Sequence, residues 1–105
     1  MRTLTWFIPA VGPGTNQRET YRLDGDYNPV RAWVHLPTSS PREAIIDINV
    51  DGESIFSYNL RLVNDKDAES TDFASVQLSK DSLVTLDVDQ GEAQNMTVGL
   101  ELEEA

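Results

Sequence analysis

The chain contains no cysteine and a single histidine. Without cysteine there is no disulfide framework, no thiolate metal site and no cysteine nucleophile. One histidine, His35, falls short of the ligand sets that zinc usually takes. It is also the sole conventional base for a Ser/His/Asp triad, and no G-x-S-x-G turn presents a serine to it. Basic residues are scarce as well, with 8 Lys+Arg against 18 Asp+Glu and a net charge of −10. They stand singly along the chain, whereas nucleic-acid binding needs clustered cations. Neither nucleic acid nor a membrane is an expected partner. No apolar run approaches the roughly 20 residues of a membrane-spanning helix. Phosphate-binding glycine loops are missing too, since "VGPGTN" is interrupted by proline and no helix follows it.

A further absence is helical periodicity. No long stretch repeats its apolar residues at the helical interval, whereas several alternate at the strand interval. "VRAWVHL" sets Val30, Ala32, Val34 and Leu36 against Arg31, Trp33 and His35. "AIIDINV" sets Ile46, Ile48 and Val50 against Ile45, Asp47 and Asn49. "SLVTLDVD" and "MTVGLEL" alternate in the same way through Val84, Leu86 and Val88, and through Met96, Val98, Leu100 and Leu102. Period-two alternation places one set on a buried face and the other in solvent. Weaker strands are expected in "TLTWFIPA", "ETYRLD", "SIFSYNLRLV" and "DFASVQLS", and "NDKDAESTD" reads as loop. Asp51-Gly52 supplies positive φ for a tight hairpin turn.

About eight short strands with a turn every 8–12 residues predict an all-β fold, an antiparallel β-sandwich of jelly-roll type. The 105 residues suit one domain. "MRTLTWFIPAVG" is broken by Thr3, Thr5 and Pro9, so it reads as a strand or arm rather than a signal peptide. Residues 1–14 are expected to form this element, loosened from a 15–105 sandwich by "VGPGTNQRE". Leu4, Trp6, Phe7 and Ile8 would then anchor a neighbouring subunit, because aromatic residues concentrate in interface cores.

Three kinds of site compete with ordinary strand and turn chemistry in this sequence. Asp47, Asp87 and Asp89 lie on strands and would form a carboxylate pair if those strands were neighbours, but nothing selects one pair. "LDGDYNP" offers Asp24, Asp26 and Asn28 as hard oxygen ligands, and "NDKD" offers Asn64, Asp65 and Asp67. His35 takes the glutamate position of a calcium loop begun at Asp24, so that motif fails. No metal, cofactor or catalytic residue is therefore expected. Tyr27, Trp33 and Tyr58 are the candidate glycan contacts, on the expectation that they line a shallow groove.

The central and C-terminal segments resemble a β-sandwich module of tailed-bacteriophage structural proteins, of head-decoration, head-fibre or tail-fibre type. The resemblance runs from Val30 to Glu103. It rests on Ile46, Asp47, Ile48, Gly52, Ser54, Ile55 and Phe56, then on Lys80, Asp81, Val84, Leu86, Val88 and Gly91, and finally on Met96, Val98 and Leu100. It departs at Lys80-Asp81-Ser82, where the family has Gly-Asp, and in the long "VNDKDAESTD" segment. It implies a non-enzymatic protein of the outer virion surface, made in the host cytoplasm. Its implied partners are itself, most simply as a trimer, and a major capsid or tail protein. The alternative function is a carbohydrate-binding module for a host receptor.

Overall fold

The structure, a computed structural model, describes residues 1–14, 17–39, 43–74, 78–91 and 93–105. Nine strands follow in order: β1 (Arg2–Val11), β2 (Tyr21–Arg22), β3 (Tyr27–His35), β4 (Ala44–Val50), β5 (Glu53–Ser54), β6 (Leu60–Leu62), β7 (Asp67–Ser70), β8 (Leu83–Gln90) and β9 (Ala93–Glu104). They build two antiparallel sheets. One has the order β1-β9-β3-β7, and the other has β2-β8-β4-β5, with β6 also paired to β4. The chain passes from one sheet to the other between β1, β2, β3 and β4, which is the interleaving of a jelly roll. β5 and β6 pair with opposite ends of β4, at Asn49–Val50 and Ala44–Ile46. Together they form one edge strand broken at 55–59.

The alternating apolar residues fill the space between the sheets. Leu4, Trp6, Ile8, Ala32, Val34, Met96, Val98 and Leu100 come from the first sheet, and Ile46, Ile48, Val84, Leu86 and Val88 from the second, all buried. The turn at Asp51-Gly52 has φ of 51° and 86°, as a tight hairpin requires.

Residues 1–14 are not a detached arm. β1 pairs with β9 from Arg2↔Leu102 to Val11↔Ala93. Leu4, Trp6 and Ile8 are 1–2% exposed in this chain's own core, so their burial already serves this domain. Only Phe7, on the opposite face and 53% exposed, remains available to a neighbour. The link after β1 is also tied down at its described ends: Gly14 and Val88 exchange hydrogen bonds, and Gln17 N–H donates to Leu86 O.

A second correction concerns the segment read as loop. Asp67–Ser70 is an edge strand, paired with β3 through Ala32↔Ser70 to His35↔Asp67. In "DFASVQLS", the described residues make only isolated bridges, Phe73 to Phe56 and Leu78 to Tyr27, and 75–77 lie outside the described residues.

Candidate functional site

With the core committed to packing, chemistry is left to the two outer sheet faces. On the β8–β4 face, the register sets Asp47 opposite Asp87 and Asn49 opposite Thr85. A bulge between Ile45 and Ile46 leaves Asp89 as the unpaired extra residue of β8. The strands carrying the three acids are thus neighbours. Their surroundings differ from the solvated face that alternation predicts: Asp47 is 9% exposed and Asn49 is 7% exposed.

The break in the edge strand explains this burial. Ser54 at the end of β5 and Asn59 just before β6 flank the break, and their side chains reach the carboxylates. The Ser54 hydroxyl donates to Asp47 Oδ1 at 2.5 Å, and Asn59 Nδ2 donates to Asp89 Oδ2 at 2.8 Å. Asn49 Nδ2 donates to Asp87 Oδ2 at 2.5 Å. Burial raises the Asp47 pKa above the ordinary carboxylate value, the Ser54 hydrogen bond acts against that, and the charges of Asp89 and Asp87 add to it. Beside the acids lies an open depression of about 440 Å³, lined by Thr20, Asp47, Asn49, Asp51, Thr85 and Asp87 among others. Asp51 ties its turn to the start of β8, because its carboxylate accepts from Leu83 N–H. The described hydrogen bonds of Asp47, Asp87 and Asp89 run to Ser54, Asn49 and Asn59. Among the described residues, no group of three His, Cys, Asp or Glu is disposed to hold a metal ion.

The calcium candidates have turn duties. Asp24 accepts from the Tyr27 hydroxyl and pairs with Arg2 at 2.7 Å, and Asp26 accepts from Lys80 N–H. The Tyr27 hydrogen bond and then Arg2 hold the Asp24 carboxyl below its ordinary range.

The outer face of the first sheet is different in kind. Successive rows across β1, β9, β3 and β7 read Thr5–Gly99–Trp33–Glu69 and Phe7–Thr97–His35–Asp67. The Trp33 indole lies across Gly99, where an added Cβ would stand 2.2–2.5 Å from the ring. Arg31 bridges Glu69 at 2.6 Å and Glu101 at 3.2 Å, and His35 Nδ1 lies 2.5 Å from Asp67 Oδ1. A shallow open hollow on the β7 side of Trp33 is lined by Arg31, Trp33, Val34, Asp67, Ala68 and Glu69.

The three candidate glycan contacts are not brought together. Tyr27 is buried with its hydroxyl on Asp24, so it cannot present a ring to a sugar. Tyr58 is 79% exposed, but it stands in the break of the other sheet's edge strand. Trp33 alone lies on the β3–β9 face. The sequence reading missed Gly99, although a glycine inside an alternating strand signals a close approach. It also missed the clasp of Ser54 and Asn59, which nothing in the local sequence announces.

Compared with family models, curated proteins and solved structures, the chain has no significant match.

Proposed function

We propose that this chain is a non-enzymatic structural protein of a virion, displayed on the outer particle surface, of the capsid-decoration or fibre type. It assembles with itself, as a trimer, and binds a major capsid or tail protein. The observation that carries this reading is the strand order β1-β9-β3-β7 over β2-β8-β4-β5, a jelly roll, joined to the resemblance between Val30 and Glu103. Jelly rolls serve viral capsids and lectins alike, so the fold narrows the choice and the surface must decide it. The short, acidic edge strand β7 and the broken edge at β5 and β6 discourage pairing at those two edges. The test is to purify particles from cells that carry the gene and to seek the chain in them by mass spectrometry. Its presence in stoichiometric amount is expected, and its absence from every particle fraction rejects the reading.

A second reading, carbohydrate binding, is favoured by the hollow beside Trp33. An aromatic ring next to Arg31, Asp67 and Glu69 joins a stacking surface to hydrogen-bonding groups, the combination a sugar needs. On this reading Trp33→Ala abolishes binding on a glycan array and Tyr58→Ala does not. An array blank for the wild type at well above micromolar concentration removes the reading.

A further inference from the structure

We infer that the ligand of the first sheet's outer face is a neutral hexopyranose, laid on the outward face of the Trp33 indole and held by Glu69 and Asp67. This rests on the carbohydrate reading above, and it names the class of sugar. The first ground is the attitude of the ring. A Cβ on Gly99 would stand 2.2, 2.4 and 2.5 Å from Cε2, Cζ2 and Nε1 of Trp33. Cε2, bonded to the other two, is the nearest. That places the point over the ring face, because in the plane of the ring one of the outer atoms would come closer. The indole therefore lies flat on β9. Gly99 is buried beneath it, although it belongs to the outer face of the sheet. Trp33 itself is half-buried, with one ring face against Gly99 and the other towards solvent. A flat, outward aromatic face is what the C–H side of a sugar ring stacks on, and polar groups beside it fix the orientation.

Charge gives the second ground. Trp33 stands between Arg31 and His35 on one face of β3, opposite Glu69 of β7. Arg31 is engaged by Glu69 and Glu101, and His35 by Asp67. Three carboxylates thus surround one guanidinium that is already paired, on a chain of net charge −10. Such a rim repels sialylated, sulfated and phosphorylated sugars. The third ground is hydrogen bonding. Ionised carboxylates only accept, and the hydroxyls of a neutral sugar donate. Arg31 occupies Glu69 Oε2 and His35 occupies Asp67 Oδ1. Glu69 Oε1 and Asp67 Oδ2 have no partner among the described residues, and both side chains line the hollow beside Trp33.

The experiment screens the full chain on a glycan array, then titrates it by saturation-transfer NMR with neutral methyl hexopyranosides, N-acetylneuraminic acid and glucosamine. Glycans ending in a neutral hexose are expected to bind at least about tenfold more tightly than their sialylated or sulfated forms. Glu69→Gln keeps the shape of the side chain and leaves Arg31 its bridge to Glu101. It should weaken neutral-sugar binding about tenfold, the usual effect of losing a hydrogen bond to a charged group. Gly99→Ala tilts the indole and should weaken binding by a similar factor with Trp33 still present. Glu53→Gln removes the same charge from an exposed position on the other sheet and should change nothing. Thermal melts confirm that each variant folds, and Glu69→Gln decides the matter alone if Gly99→Ala does not. A blank array rejects the carbohydrate reading and this inference with it. Hits confined to anionic glycans, tighter binding of glucosamine than of neutral hexosides, or undiminished binding in Glu69→Gln would overturn the inference and leave the broader reading standing.

Discussion

Asp47 on β4 and Asp87 on β8 are direct cross-strand neighbours, two carboxylates set side by side on one sheet face. Like charges in that relation repel, and the burial of Asp47 strengthens the effect. Asp47 draws its hydrogen bond from the Ser54 hydroxyl, so the clasp at the broken edge strand offsets part of the repulsion.

A pH dependence of stability follows from the burial of Asp47, to which the charges of Asp89 and Asp87 add. The folded-state pKa of Asp47 is raised, so the folded chain binds a proton more tightly than the unfolded chain does. Stability therefore falls as pH rises from the ordinary carboxylate range through the raised value. Asp47→Asn keeps an acceptor for Ser54 and removes the charge. It should stabilise the fold at neutral pH by roughly 0.5–1 kcal/mol and flatten that part of the curve. Asp24 acts in the opposite sense, because its pKa is lowered: what it contributes is lost as pH falls through the folded value. Thermal melts of both chains from about pH 3 to about pH 8 separate the two windows. An Asp47→Asn chain less stable than wild type at neutral pH would show that the carboxylate is needed as such.

Removing the first strand should unfold the domain, not merely disperse an assembly. Trp6 is 1% exposed, its indole N–H donates to Glu19 O at 2.7 Å, and its ring meets Tyr21 edge-on at 5.2 Å. Trp6→Ala is expected to cost about 3–5 kcal/mol, a large part of the 5–15 kcal/mol available to a typical domain. Urea denaturation followed by circular dichroism measures this. A chain without residues 1–11 that still melts cooperatively would contradict it.

The contact between Trp33 and Gly99 predicts a coupled pair. Gly99→Ala puts a methyl where the indole lies, so the ring must swing off the sheet. We expect a loss of roughly 1–2 kcal/mol and a shift of tryptophan emission towards that of a solvated indole. In Trp33→Ala the same glycine change should cost almost nothing, giving a coupling energy of about 1 kcal/mol in a double-mutant cycle. Additive losses would place the cost in the backbone of β9.

Gly91 tests the bend between the last two strands. Its φ is 102°, and a Cβ there would stand 2.4 Å from the carbonyl oxygen of Glu43. Both the dihedral and the backbone contact oppose any side chain, so Gly91→Ala should cost roughly 3 kcal/mol. Gly12 meets nothing within 4 Å and has no positive φ to satisfy. Gly12→Ala should be close to neutral in the same melts.

Much of the fold is legible in single segments. The alternation of Ile46, Ile48 and Val50, or of Met96, Val98, Leu100 and Leu102, states both strand and inward face, because side chains in a strand point to opposite sides in turn. Asp51-Gly52 states its turn for an equally local reason. The edge strand Asp67–Ser70 is hidden because Asp, Ala, Glu and Ser have little strand preference of their own. It is a strand because β3 offers it an unpaired edge.

Local periodicity thus determined that this chain is built of strands, and which residues of each strand face inward. Partnership was decided only in three dimensions. That Asp47 lies beside Asp87, that Trp33 covers Gly99, and that Leu4, Trp6 and Ile8 serve their own core all depend on pairings between distant segments. Alternation tells a strand which way to face, but its neighbour is chosen by the shape and area of the whole core. For that reason Asp47, which a single strand would leave in water, ends nine-tenths buried beneath a break in another strand.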